Sequence, residues 1–201
     1  MEFKTNCRVI LASGSPRRSE LMGVAGIPFI VRKPQVAEPP IRQGEKPANY
    51  AERLARLKAF DVAEHESGSV VIGADTVVHQ EGRVYGKPSG REEAKAFLES
   101  LCGSVHSVST GVCVTDGEQE RTFSVTTDVE FRDVPGWMVD KYVDSGDPMD
   151  KAGAYGIQSG GALFVKEIRG DYHAVVGLPV ADVFGVLNEM EVISGGKGDG
   201  L

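Results

Sequence analysis

The sequence predicts a mixed α/β fold, and three observations carry that prediction. Apolar, β-branched runs alternate along the chain with segments of helical periodicity. Three of the helical segments open on a proline (Pro16, Pro47 and Pro179), a residue suited to the first helical position because no N–H is needed there. Two long strand-like runs, 105–115 and 120–132, are separated only by Asp116-Gly117-Glu118-Gln119. That short connection makes an antiparallel hairpin, so the sheet should be mixed and twisted, with flanking helices.

Taken in order, Cys7-Arg8-Val9-Ile10-Leu11 opens a buried strand over 7–12. It breaks on Ser13-Gly14-Ser15, and Ser15 is a good N-cap for a helix over 16–24. A strand over 27–31 follows, then the loop 32–46, where Pro34, Pro39, Pro40 and Gly44 read as a mobile flap. In the helix over 47–65, Ala51, Leu54, Ala55 and Val62 mark the apolar stripe. The run 69–79 is a strand and 89–101 a helix; after the hairpin come a helix over 135–145, a strand over 161–168 and a last helix over 179–190. The Gly-rich tail, 194–201, is expected to be disordered, which leaves 1–193 as a single domain of a stand-alone protein.

Composition narrows the function. With 29 acidic against 22 basic residues the net charge is -7, which disfavours a broad nucleic-acid surface and makes any positive site local. Cys7, Cys102 and Cys113 show neither metal nor redox spacing, as suits a reducing compartment. No long apolar segment offers a membrane span or a secretory h-region, so a cytoplasmic location without membrane partners is expected.

Several places carry chemistry. At the start of the first helix the free N–H groups, the small Ser13, Gly14 and Ser15, and the forked donors of Arg17 and Arg18 suit a phosphate. Two solvated arginines would be the ordinary alternative, yet cations at a helix N-terminus oppose its dipole unless an anion joins them. Lys58 falls within the apolar stripe of its helix, where it either finds a partner or snorkels to the rim. Asp75 interrupts Val70-Val71-Ile72-Gly73-Ala74-Asp75-Thr76-Val77-Val78. A carboxylate there must be paired, hydrogen-bonded or metal-bound, which makes it a candidate general base or metal ligand, or else a structural acid at a bend after Gly73.

Gly82-Arg83-Val84-Tyr85-Gly86-Lys87-Pro88 departs from a phosphate-binding P-loop, with one residue too few between the glycines and Pro88 in place of a Ser or Thr. Lys87 remains either a point charge for phosphate or a surface lysine in a turn. The stretch Gly146–Gln158 holds three glycines and is either a functional loop or a flexible one. His65 and His79 read as surface residues, while His106 and His173 lack a second histidine at ligand spacing, which disfavours zinc.

The segments Leu11–Arg18, Leu57-Lys58-Ala59, Gly73-Ala74-Asp75-Thr76, Gly86-Lys87-Pro88, Gly146–Gln158 and Tyr172-His173-Ala174-Val175-Val176-Gly177-Leu178-Pro179 together resemble, in the same order, the Maf family of nucleoside triphosphate pyrophosphatases. The resemblance covers nearly the whole chain except the tail. It implies a mixed α/β fold with two lobes around a central cleft, similar to the inosine triphosphate pyrophosphatases, and hydrolysis of nucleoside triphosphates to the monophosphate and pyrophosphate with a divalent cation, Mg or Mn. Arg17, Arg18, Lys58 and Lys87 would surround the triphosphate, with the Ser13–Ser15 backbone holding it at the helix start. Asp75 would be the proton acceptor, directly or as a metal ligand, and Lys58 and Lys87 would be catalytic through charge stabilisation.

The resemblance places Arg17, Thr76 and Gln158 on the family's specificity positions, and the run Asp150-Lys151-Ala152-Gly153-Ala154-Tyr155-Gly156-Ile157-Gln158 resembles the branch acting on dTTP and UTP. Gln158 can offer a pyrimidine edge both a donor and an acceptor. Relatives commonly carry consecutive acids in the loop after the second strand, where this chain has Ala37-Glu38, so Glu38 is the second metal-ligand candidate. The resemblance also implies homodimers. It leaves open a regulatory nucleotide-binding role linked to septum formation with little turnover.

Overall fold

The computed structural model describes residues 2–194. In chain order it contains β1 (Lys4–Thr5), β2 (Arg8–Ala12), α1 (Pro16–Ala25), β3 (Ile30–Arg32), α2 (Pro47–Ala63), β4 (Ser69–Gln80), β5 (Arg83–Tyr85), α3 (Arg91–Leu101), β6 (Val105–Thr115), β7 (Glu120–Phe131), α4 (Gly136–Asp144), β8 (Val165–Arg169), α5 (Tyr172–Val176), α6 (Val180–Glu189) and β9 (Ile193–Ser194). Three short 3-10 turns lie between α4 and β8. No helix among the described residues is long and apolar enough to cross a membrane.

The sheet is mixed, as the hairpin requires. Its order is β3-β2-β4-β6-β7-β8, with β5 paired to β4. β2 runs parallel to both β3 and β4, while β4, β6, β7 and β8 are antiparallel in succession. Alternation of side chains divides the core between the two faces. Val9 and Leu11 of β2 join Leu21 and Met22 of α1 and Val183 and Leu187 of α6, whereas Ile10 and Ala12 meet Ala55, Ala59 and Val62 of α2. A third cluster packs α3 and α4 against Val108, Val129 and Phe131 at the far end of the hairpin.

This layout decides where a ligand can sit. From β2 the chain leaves through α1 to β3 on one side, then crosses back through α2 on the opposite face to β4 on the other side. The carboxyl end of β2 is therefore a topological switch point, where the diverging connections open a crevice. β2 stops pairing with β4 at Ala12 opposite Gly73, so the Ser13–Ser15 turn departs just short of Asp75 and Thr76.

α2 lies unusually close to the sheet. A Cβ on Gly73 would fall 2.3 Å from the Ala55 carbonyl oxygen, and one on Gly111 would fall 2.3 Å from the Ala51 carbonyl carbon. Two glycines facing the small Ala51, Ala55 and Ala59 let helix backbone touch strand backbone, which brings Lys58 down to the sheet.

Several expectations shift. Ser15 occupies the N-cap position, but its side chain makes no cap; its N–H instead donates to Ser13 Oγ at 3.1 Å. Pro179 sits at the N-cap with ψ of 88°, one residue before the helix it was expected to open. The strand expected over 161–168 begins only at Val165, because Gly160–Leu163 forms a 3-10 turn whose Gly161 backbone presses on that of Gly156. The strand expected over 27–31 is displaced to Ile30–Arg32. The loop 32–46 is tied to α2 by paired Arg53–Glu45 contacts, by Tyr50 Oη donating to the Pro39 carbonyl, and by the Gln35 N–H donating to Asp61. Ser194, assigned to the tail, pairs with Lys4 in the β1–β9 ribbon; the rest of that tail, 195–201, lies outside the described residues.

Candidate active site

A cleft of about 730 Å³ opens at the switch point. Ser13, Ser15, Arg17, Arg18, Glu38, Lys58, Asp75, Thr76, Lys87 and Gln158 all line it, so the residues assigned to substrate, catalysis or metal from the sequence converge on one cavity. Two further residues there, Lys33 and Tyr50, carried no distinctive sequence signal, while Lys151 lies within the Gly146–Gln158 stretch already singled out. The aliphatic stem of Lys33 runs over Gly14, and Tyr50 and Lys151 complete the walls. Among the described residues, Arg17, Arg18, Lys33, Lys58, Lys87 and Lys151 line the cleft against Glu38, Asp75 and Asp150, which makes a local cationic hollow in an acidic chain.

Lys58 and Asp75 are the buried centre. The Lys58 ammonium donates to Asp75 Oδ1 at 2.5 Å and lies 2.7 Å from Glu38 Oε1. It therefore does not snorkel to the rim. The reason is geometric, because the close seating of α2 leaves the Lys58 stem pointing along the sheet face that carries Asp75. Burial holds the Asp75 carboxyl above the ordinary carboxylate range, with Lys58 and Arg18 opposing that shift. Glu38, half-exposed, is held below its usual value, its partial burial outweighed by Lys58, Lys87 and Arg18. The paired carboxylates thus differ, with Asp75 the readier to take a proton.

The two arginines divide as well. Arg18 turns inward, donating through Nε to the Gly177 carbonyl at 2.8 Å and through one terminal nitrogen to Thr76 Oγ1 at 3.0 Å. Burial pulls its pKa down from the usual guanidinium value, with Asp75 opposing. Arg17 turns outward and reaches Asp150 at 3.3 Å, joining α1 to the wall carrying Gln158. The stretch Gly146–Gln158 is far from loose: Asp147 accepts from Tyr142 Oη and Ser159 Oγ, both at 2.6 Å, and pairs with Lys151 at 2.9 Å.

His79, expected at the surface, is half-buried and bonded to Ser109 Oγ at 2.9 Å, because the cross-strand register of β4 and β6 seats it there.

Asp75 and Glu38 converge on one ammonium and so can also converge on one cation. Among the described residues no group of three His, Cys, Asp or Glu could form a complete cage. Two hard carboxylates facing a cationic hollow suit a metal of the magnesium type, which completes its coordination with substrate phosphates and water.

A switch-point crevice, a buried acid and a concentration of guanidinium and ammonium groups together define a phosphate-handling α/β protein. Comparison with known proteins makes this particular. The profile of the Maf-like protein family matches residues 8–190, and the chain belongs to the Maf family. It is 45% identical over 185 residues to the dTTP/UTP pyrophosphatase of Bacillus cereus (strain G9842), covering 92% of this chain and 96% of that one. The dTTP/UTP pyrophosphatase of Bacillus cereus (strain B4264) is 44% identical over the same length. Among solved structures, the Staphylococcus aureus Ham1 protein matches with a TM-score of 0.51 at 15% identity, over 92% of this chain and 99% of that one. That match is a likeness of fold.

Proposed function

We propose that this protein hydrolyses nucleoside triphosphates, dTTP and UTP foremost together with related modified pyrimidine nucleotides, to the monophosphate and pyrophosphate, and so clears them from the cytosolic pool. The observation that carries the reading is the Asp75 carboxyl, buried and raised, held by Lys58 at the edge of a cationic cleft. The 45% identity to a dTTP/UTP pyrophosphatase supports the choice of substrate.

In this reading Arg18, Lys87 and the Ser13–Ser15 turn bind the phosphate chain, and Arg17, Thr76 and Gln158 face the variable part of the nucleotide. Asp75 accepts a proton from the water that attacks the α-phosphorus. The bond from that phosphorus to the bridging oxygen breaks, and pyrophosphate leaves with the bond's electron pair. Lys58 and Lys87 stabilise the charge that grows on it. A divalent cation held by Asp75 and Glu38 would supply further neutralisation of phosphate charge.

Pyrophosphate release from a panel of dTTP, UTP, CTP, inosine triphosphate and 7-methyl-GTP, with Mg or Mn, tests the proposal. UTP and dTTP should lead, and Asp75→Asn should lower kcat by about 10²- to 10⁴-fold while nucleotide still binds. Turnover of 7-methyl-GTP above both pyrimidines would reject the substrate assignment. Binding without release from any triphosphate would favour a regulatory nucleotide-binding protein instead.

A further inference from the structure

The proposed function gives Arg18 a phosphate to bind, and what holds Arg18 in place is a chain of hydroxyls. Thr110 is fully buried on β6 and stands opposite Thr76 in the β4–β6 register. Thr110 Oγ1 donates to the Ala174 carbonyl at 2.7 Å, and Thr76 Oγ1 lies 2.9 Å from Thr110 Oγ1. A carbonyl cannot donate, so the single hydroxyl hydrogen of Thr110 is committed to Ala174. The hydrogen between the two threonines must therefore come from Thr76. Its oxygen is left as an acceptor, and the N–H of Arg18 fills that role at 3.0 Å.

Only one hydrogen arrangement satisfies all three bonds. The ring closes through the backbone, since Arg18 Nε donates to Gly177, three residues beyond Ala174. Gly177 has φ of 133°, a conformation glycine adopts readily, and a Cβ there would sit 3.5 Å from Arg18 Nε. Arg18 thus commits two of its five N–H donors to the protein and keeps three for the cleft.

From this geometry we propose that Thr110 is a positioning residue for phosphate binding: it touches no substrate, but by fixing the direction of the Thr76 hydroxyl it holds the Arg18 guanidinium in the plane that meets the triphosphate. The inference rests on the triphosphate reading above. Removing the Thr110 hydroxyl frees the Thr76 hydrogen to rotate toward Arg18, turning an acceptor into a competing donor.

A double-mutant cycle tests this with two readouts: affinity for inorganic tripolyphosphate by calorimetry, and kcat/KM for UTP. Thr110→Val should weaken both by about 10- to 100-fold, and Thr110→Ser should return both to within about threefold of the wild type. In an Arg18→Lys background, Thr110→Val should change either quantity by less than about threefold. Should the valine variant fail to fold, Thr110→Ala runs the same cycle. Equal losses in both backgrounds, or a serine variant no better than valine, would overturn the relay. A wild type that binds tripolyphosphate but releases no pyrophosphate overturns the hydrolase reading alone, and the binding cycle still decides Thr110. A wild type that does not bind tripolyphosphate overturns both.

Discussion

Lowering the pH from 7 to 5 should weaken the fold by about 2 kcal/mol through His106 alone. The ring is fully buried on β6, with Nε2 2.9 Å from Tyr155 Oη, its plane nearly perpendicular to that of Phe131 at 4.8 Å, and Nδ1 without a partner among the described residues. Burial, reinforced by His79 and opposed by Asp128, lowers its pKa from 6.5 to about 4. The unfolded chain therefore takes up a proton that the folded chain refuses. Stability is complete above pH 6.5 and is lost as the pH falls toward 4, by at most about 3.4 kcal/mol for a 2.5-unit separation. At pH 5 about 2 kcal/mol of that is gone, enough to lower Tm by about 4–8 °C in a domain of this size. Urea unfolding of the wild type and of His106→Gln at both pH values measures the difference. The variant is less stable at pH 7 for lost packing, but its pH dependence should be flatter by that amount. Parallel pH dependences would refute the assignment of a neutral, desolvated His106.

Other perturbations follow from the same geometry. Lys58→Met leaves Asp75 buried without its ammonium and should cost about 3–5 kcal/mol in chemical denaturation, most of it restored by adding Asp75→Asn. Gly111→Ala drives a Cβ into the α2 backbone at Ala51 and should cost about 3 kcal/mol, with UTP turnover falling too because Lys58 is displaced; an unchanged kcat would detach the seating of α2 from the site. Asp150→Asn breaks the exposed pair with Arg17 and a second pair with Lys151, which keeps Asp147, and should shift stability by about 1 kcal/mol or less. The same change frees Arg17 for the nucleotide, so KM for UTP should fall; a KM that rises would contradict it.

Local rules made much of the architecture legible. Val and Ile runs, Pro16 and Pro47 at helix starts, and a four-residue turn inside a hairpin are short-range signals, and β2, α1, α2, β4, β6 and β7 follow them closely. β1, β5, β9 and α5 were not legible: the three strands are two or three residues long and α5 is little more than one helical turn, too short to show a period. β1 and β9 exist only because Lys4 meets Ser194 from the other end of the chain. α5 exists because Asp171 accepts from the N–H groups of His173 and Ala174.

For the site, the sequence by itself determined the chemistry on offer: an acid inside an apolar strand, a lysine inside an apolar helical stripe, and arginines at a helix start where the dipole resists them. Each is locally unfavourable, and that is why each stands out. Only the tertiary structure decided the pairings. Gly73 and Gly111 let α2 descend until Lys58 reaches Asp75, and the β4–β6 register sets Thr110 beside Thr76. Arg18 turns inward to Gly177 while its neighbour Arg17 turns out to Asp150. The residue types carry the charges, but whether a charge becomes a base, a phosphate clamp or a surface pair depends on burial and on partners 17 to 159 residues away, which no local pattern records.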